Sequence, residues 1–284
     1  MMTPGEIGRA SYELVPDLGG NQLEKYEVGM RFGRPIGRSV VGFSANFVRY
    51  KWLFNETPIE VDLRPYTDFY RVQAGVFYGY RFNDSWSGMI RFSPGIMSNL
   101  RTSLSGEDWV FNTMASATRQ WGDTASVKRL VFGIGFGTLV GTPRLFPVIS
   151  YGEEINDAWS YILGFPQTQI VYQPNPQNQI SLGASPDGLY GNNGEATAVD
   201  VGNVQENTKL RYAGINTGLR YRRRLDPNWT AIINSGYTIP LNLEITDADN
   251  TTLYDLNAHG SFYITMGLSF NLNMMNNEEN SNKR

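Results

Sequence analysis

The chain has 284 residues with no Cys and a single His, so it carries neither a disulfide framework nor a Cys- or His-based metal cluster. A formal net charge of -3 leaves no basic footprint for nucleic acid, and no run approaches the roughly 18 uncharged apolar residues of a membrane helix. What stands out is 30 Gly, 16 Tyr, 15 Phe and 6 Trp against 18% charged residues, a composition suited to closely packed strands anchored at an interface.

No shift in composition marks a linker, so residues 1–273 read as one all-β domain and 274–284 as a polar C-terminal tail. The start, MMTPGEIGRASYELVPD, shows no basic stretch followed by an apolar one. An outer-membrane destination therefore implies a secretory signal that is absent from this sequence.

Period-two alternation recurs along the chain. YEVGMRFGRP sets Tyr26, Val28, Met30 and Phe32 against Glu27, Gly29 and Arg31. VGFSANF sets Val41, Phe43, Ala45 and Phe47 against Gly42, Ser44 and Asn46. RVQAGVFYGYRF opposes Val72, Ala74, Val76, Tyr78, Tyr80 and Phe82 to Arg71, Gln73, Gly75, Gly79 and Arg81. LVFGIGFG opposes Leu130, Phe132, Ile134 and Phe136 to three glycines. AGINTGLRYR and WTAIINSGYTIPLNLEI continue the pattern, the latter with Ile239, Leu241, Leu243 and Ile245 against Thr238, Asn242 and Glu244. The last, SFYITMGLSFNLN, puts Phe262, Ile264, Met266, Leu268, Phe270 and Leu272 on one face. Such runs exceed the soluble mode of about 5–6 residues and match the roughly 9–11 that cross a bilayer at a tilt.

The connections alternate in length. Short turns at RPIGR, FNDSW, WGDTASVK, QPNPQN and RLDPNW separate longer segments that begin at Pro16, Phe54, Ser98, Gly141, Pro186 and Thr246. A soluble sandwich has no reason to sort its loops by parity, whereas an up-and-down barrel does. The expected fold is a transmembrane antiparallel barrel of about twelve strands, with short periplasmic turns and longer extracellular loops. Its last strand closes against its first and faces lipid, with Phe270 near the periplasmic interface. About eight strands leave a lumen that side chains fill and 16–18 leave a water channel, so a narrow or plugged lumen is the default.

WSYILGFPQTQIVYQPNPQNQISLGASPDGLYG from Trp159, LRYAGINTGLRYRRRLDPNW from Leu210, the opening PGEIGRASYELVPD and the closing ITMGLSFNL together resemble a family of uncharacterised outer-membrane β-barrel proteins of Bacteroidota, a domain of unknown function. The resemblance implies a fold and a membrane. It brings no activity and no site residues.

Candidate residues follow from the alternation. Lys25, Glu27, Arg31, Arg71, Arg81, Arg91, Arg220, Arg222 and Glu244 fall opposite the apolar face and are expected to line the lumen. Either they form an electropositive constriction for anions, or they pair across strands and fill the interior with hydrogen bonds, since an unpaired buried charge is expensive. Phe132, Phe136, Trp229, Tyr237, Phe262 and Phe270 are expected to face lipid or its interface. Arg223, beside a tight turn, either snorkels to lipid phosphate or is simply solvated. His259 and Ser261 are two apart, as a hydrolase pair would be, but no nucleophile motif surrounds them. Asp247, Asp249, Asn250 and Asp255 offer oxygen ligands without the spacing of a calcium loop. The functional expectation is a non-enzymatic outer-membrane scaffold or accessory subunit. It has no cofactor or metal, sits in outer-membrane lipid and binds protein partners through its long loops. The alternative is a narrow pore or transporter for small anionic or apolar solutes.

Overall fold

Alternating residues become strands along nearly the whole chain in the computed structural model, which describes residues 6–55, 61–123, 126–200 and 202–271. Leu272 and the tail at 274–284 lie outside the described residues. In chain order the strands are β1 (Glu6–Val15), β2 (Asn21–Ile36), β3 (Ser39–Phe54), β4 (Asp68–Arg81), β5 (Trp86–Ser98), β6 (Trp109–Gly122), β7 (Val127–Gly137), β8 (Arg144–Glu154), β9 (Trp159–Phe165) and β10 (Thr168–Asn175). They continue with β11 (Asn178–Asn193), β12 (Thr197–Asp200), β13 (Asn203–Gln205), β14 (Thr208–Arg224), β15 (Trp229–Thr246), β16 (Thr252–Asp255) and β17 (Ser261–Asn271).

Fourteen of these build the wall, each antiparallel to its neighbour. The wall closes where β1 pairs with β17, with Ala10 opposite Leu268 and Tyr12 opposite Met266. The β12–β13 hairpin stands apart in the connection between β11 and β14, and β16 extends β15 beyond the start of β17. No helix among the described residues is long and apolar enough to cross a membrane.

The expected twelve strands are corrected to fourteen, and two local causes account for the difference. Residues 141–159 read as one long loop, yet Arg144–Glu154 is β8. Its alternation is masked because inward Phe146 and Val148 are as apolar as outward Leu145, Pro147 and Ile149. The second cause is the segment from Trp159 to Gln173, which reads as one strand but folds back as β9 and β10. Gly164 ends β9 with φ of 145°, and a Cβ there would lie 2.1 Å from the Ile149 carbonyl oxygen, so only glycine fits. The two-residue link of Pro166 and Gln167 also breaks the strict alternation of short and long connections. Likewise Pro186 does not begin a loop, since β11 runs on to Asn193.

Three turns of the tight rim repeat one pattern. In Asn83-Asp-Ser-Trp86, Asn156-Asp-Ala-Trp159 and Asp226-Pro-Asn-Trp229 the first side chain accepts two backbone N–H groups, those of the Trp and the residue before it, at 2.7–2.9 Å. Each turn therefore delivers a Trp to the start of a strand on the same rim. Above them the outer surface is an unbroken apolar band, including Val28, Val76, Ile90, Ile149, Leu182, Ile233 and Leu268, all exposed.

The core sits inside the other end. Leu23 of β2, Tyr50 and Trp52 of β3, Phe69 of β4, Met97 of β5, Leu189 of β11, Leu210 and Tyr212 of β14 and Leu243 of β15 point inward and are almost completely buried. The loop residues Leu18, Leu63 and Tyr66 pack on them. Trp52 and Tyr212 meet edge to face across the lumen at 5.9 Å. The upper part of β11 crosses the mouth far enough for Asn192 to pair with Ser98 of β5. A soluble-style core thus plugs the long-loop half of the barrel.

Candidate functional site

Beneath this plug the lumen turns polar. Lys25 of β2 reaches Asp187 of β11 at 2.9 Å and Glu13 of β1 at 3.3 Å. Glu13 also accepts the Thr265 hydroxyl of β17 at 2.8 Å, which ties four strands together. Arg71 of β4 donates to the Gly188 carbonyl at 2.8 Å and lies over the Tyr50 ring at 5.2 Å. The inward fold of β11 is thereby fastened to β2 and β4 by charges that have few other partners. In low dielectric such a cluster contributes little net stability when complete but is costly to break, because the surviving charge is left buried.

A cavity of about 200 Å³ lies against this cluster, faced by Arg9, Glu13, Lys25, Glu27, Asp187 and Arg220, with neutral Ser11, Asn216, Asn234 and Tyr263 between them. Towards the tight-turn rim, Glu6 is held by Arg9 through two hydrogen bonds of 2.7 and 3.0 Å and by Arg222 at 3.6 Å. Glu27 accepts from Asn46 at 2.8 Å. Arg31 stacks on Phe77 at 4.4 Å, and Arg91 donates to the Ser93 and Ser44 hydroxyls at 3.0 and 3.3 Å. Arg81 is exposed at the tight-turn end of β4.

Glu244 does not join them, and its expected lumen position is corrected. The pairing of β14 with β15 slips between Ala213 and Gly214, which accommodates an extra residue in β15 near Leu241. That bulge reverses the faces beyond it. Leu243 and Ile245 turn into the core, while Glu244 pairs outside with Arg211 at 3.2 Å and accepts the Thr252 hydroxyl of β16.

On the outer surface Phe132, Trp229, Tyr237 and Phe262 are exposed, and Phe136 and Phe270 are half-buried. Trp229 packs on Phe270 at 5.0 Å at the tight-turn rim, and Tyr237 meets Phe262 edge to face at 5.3 Å. Arg223 is exposed on the outer face of β14. In the loop after β15, Asp247 accepts the Thr251 N–H at 2.8 Å and Asp255 that of Asn257 at 2.8 Å, so both organise turns. Asp249 and Asn250 are exposed beside them. No group of three or more His, Asp or Glu side chains among the described residues could hold a metal ion. His259 is exposed, and the Ser261 hydroxyl donates to the Phe262 carbonyl and accepts from the Asp17 N–H.

A reading that places Asp187 in a surface loop misses it, and the expected lumen set also lacks Glu6, Arg9 and Glu13. The missed signal is continuity: Ser181, Gly183, Ser185 and Asp187 keep the small or polar phase of β11, and Arg9, Ser11 and Glu13 keep that of β1.

A family profile described as "Domain of unknown function (DUF6268)" matches residues 54–271. The chain belongs to this family. Comparison with curated proteins returns no match. Among solved structures, this DUF6268 barrel is similar to LpxR from Salmonella typhimurium at 8% identity and a TM-score of 0.45, covering 93% of this chain and 100% of that one. It is similar to the KdgM porin at 9% identity and a TM-score of 0.40, covering 93% and 99%. The outer membrane phospholipase A of Escherichia coli follows at 10% identity and a TM-score of 0.40, covering 94% and 92%. The expectation of a non-enzymatic barrel is corrected here. Its solved neighbours include the enzymes LpxR and outer membrane phospholipase A, so the architecture does not exclude catalysis. At these identities and scores no enzymatic role is established either.

Proposed function

We propose that this protein is an outer-membrane β-barrel, inserted with its tight turns towards the periplasm, that serves as a membrane-embedded platform with a folded cap at the cell surface. The apolar band supports the membrane placement, because a surface of exposed Val, Ile, Leu and Phe all around a closed wall is stable in hydrocarbon and not in water. Both ends of the described chain emerge on the tight-turn rim, in keeping with that orientation.

The observation that carries the platform reading is the core inside the surface mouth. A fourteen-stranded wall is wide enough to hold water unless something fills it. Here Tyr50, Trp52, Phe69 and Tyr212 fill it, and hydrogen bonds extend the closure into the loops above. Lys209 binds Glu107 at 2.9 Å and Asn192 at 2.8 Å, Asn192 binds Asp108 at 2.9 Å, and Asn99 binds Asn193 at 2.7 Å. Buried polar networks of this kind, when satisfied, hold one conformation. A fixed cap is a surface on which a partner can dock without first ordering loops.

Planar-bilayer recording tests the reading. The purified barrel is expected to be electrically silent, and co-purification in mild detergent is expected to bring a stoichiometric partner with it. Discrete conductance steps from the unmodified protein would overturn the closed-platform reading in favour of a narrow anion pore.

A further inference from the structure

The wall formed by β2 to β5 carries more hydrogen-bond donors than the acceptors among the described residues satisfy. Strand register places Arg31 beside Ser44, and Ser44 beside Gly75, in one row across the lumen face. Ser93 continues the row, since a Cβ on Gly75 would stand 2.3 Å from its hydroxyl oxygen and 2.9 Å from that of Ser44. In the row nearer the tight turns, Phe77 of β4 stands opposite Arg91 of β5. The floor between the two arginines is thus a glycine flanked by two hydroxyls and a ring.

Neither arginine has a carboxylate within ion-pair distance among the described residues, and both heads converge on one patch, Arg31 over the Phe77 ring and Arg91 on the Ser44 hydroxyl. Several other charged side chains in the lumen do have an opposite charge beside them: Lys25 has Asp187 and Glu13, while Arg9 and Arg222 share Glu6. On the same face of β4, the Arg71 Nε and the Gln73 Nε2 are buried with no hydrogen-bond partner. Two guanidiniums with no carboxylate beside them, one of them exposed to the lumen, and the unsatisfied Gln73 amide farther along the same face of β4 suit an acceptor that carries negative charge.

We propose that this recess binds a small oxyanion, a carboxylate or a phosphate, between Arg31 and Arg91. The ligand enters from the tight-turn side, because the aromatic plug closes the other end. Planar oxyanions match the guanidinium fork in two parallel hydrogen bonds. Ser44 and Ser93 hold the Arg91 head in place, and Phe77 supports that of Arg31. The site goes beyond the platform reading and does not depend on what the surface cap binds.

Calorimetric titration of the full-length barrel in neutral detergent at low salt, with citrate and with inorganic phosphate as separate probes, tests it. At least one probe is expected to bind saturably, and the Arg31→Gln/Arg91→Gln variant is expected to weaken that binding at least about tenfold. Arg91→Lys, which keeps the charge and removes the fork, gives an intermediate loss and guards against misfolding of the double variant; strand content by circular dichroism accompanies each measurement. Arg223→Gln, on the outer face, is expected to bind as the unmodified protein does. Citrate preferred over phosphate identifies a carboxylate site, and the reverse a phosphate site. Saturable binding of neither probe, or equal binding by Arg91→Lys and the double variant, overturns the proposal.

Discussion

The two halves of the lumen share one wall yet are filled in opposite ways. In the long-loop half the inward positions carry Trp52, Tyr50, Phe69, Tyr212 and Leu210, all nearly inaccessible. In the tight-turn half they carry Gly33, Gly42, Gly75, Ser44, Ser93, Arg31 and Arg91. Along β3 alone the inward residues run from Gly42 through Ser44, Asn46 and Val48 to Tyr50 and Trp52, a gradient from empty to full. The outer face of the same strand shows no such change over most of its length, with Val41, Phe43 and Phe47 all exposed. The outside is thus constrained evenly to be apolar, while the inside is free to be a core at one end and polar at the other.

The sharpest test of that contrast is a large deletion in each half. Trp52→Ala removes a fully buried ring from the plug and is expected to cost about 3–5 kcal/mol, read as a lower urea midpoint by circular dichroism. Phe77→Ala, below it, is expected to cost less, because the recess beside it lets water or detergent fill the space. Equal losses from the two variants would remove the distinction between a packed and an open half.

At the boundary stands Lys25. Lys25→Met strands Asp187 and Glu13 without their cation, and about 3 kcal/mol of stability is expected to go, the low end for a broken buried pair because the adjoining cavity still solvates the acids. Adding Asp187→Leu is expected to recover part of it, since an apolar replacement of both partners is far cheaper than an orphaned charge. No recovery in the double variant would mean that Asp187 acts through Gly188 and the path of β11 and not through its charge.

How much of this the sequence discloses differs between the same two halves. The outer face follows from alternation alone, which is why the barrel and the side taken by Phe262 or Ile264 are readable residue by residue. The plug is not readable, because its members alternate with apolar neighbours: Trp52 lies next to Leu53 and Phe54, and Leu243 and Ile245 continue a run begun by Ile239 and Leu241. Period two cannot say which phase is inside when both are apolar, and the bulge in β15 then swaps the phases unseen. For the same reason β8 disappears into a loop. The Arg31 and Arg91 recess lies between these limits. Alternation places both side chains in the lumen, but only strand register shows that no acid stands beside them.

The cap above the plug carries its own acid sensitivity. Asp108 lies in the turn before β6, outside the wall, and is buried. Burial alone pushes its carboxyl up, but the backbone N–H of Ser105, the Ser98 and Ser105 hydroxyls and the Asn192 amide together hold it below its ordinary value of 3.8. A carboxylate depressed in the folded state stabilises above its unfolded pKa, and that stabilisation is lost as pH falls through the folded value. Cap stability is therefore expected to be flat from neutral pH down to about 5 and to drop by about 1–2 kcal/mol below about pH 4. Hydrogen exchange of the β5–β6 connection as a function of pH checks this, and Asp108→Asn is expected to flatten the profile. An unchanged acid slope in that variant would assign the titration to another carboxylate.

The smallest effect is expected at the opposite rim, in the repeated turns. Asp226→Ala removes the acceptor for the Asn228 and Trp229 N–H groups, both of them exposed. Water can take over each donor, so the cost is the net worth of a solvated hydrogen bond, about 0.5–1 kcal/mol, and not the desolvation cost of an orphaned one. Asn83→Ala and Asn156→Ala, in the matching turns, are expected to behave alike and to add independently, since the three lie on separate hairpins. Inside the cap, Asn193→Ala removes more bonds, to Asn99, Glu195, Thr197 and Thr208, with no water to replace them, and is expected to cost several times more. If the rim and cap variants proved equally costly, solvent access would not be what separates the two ends.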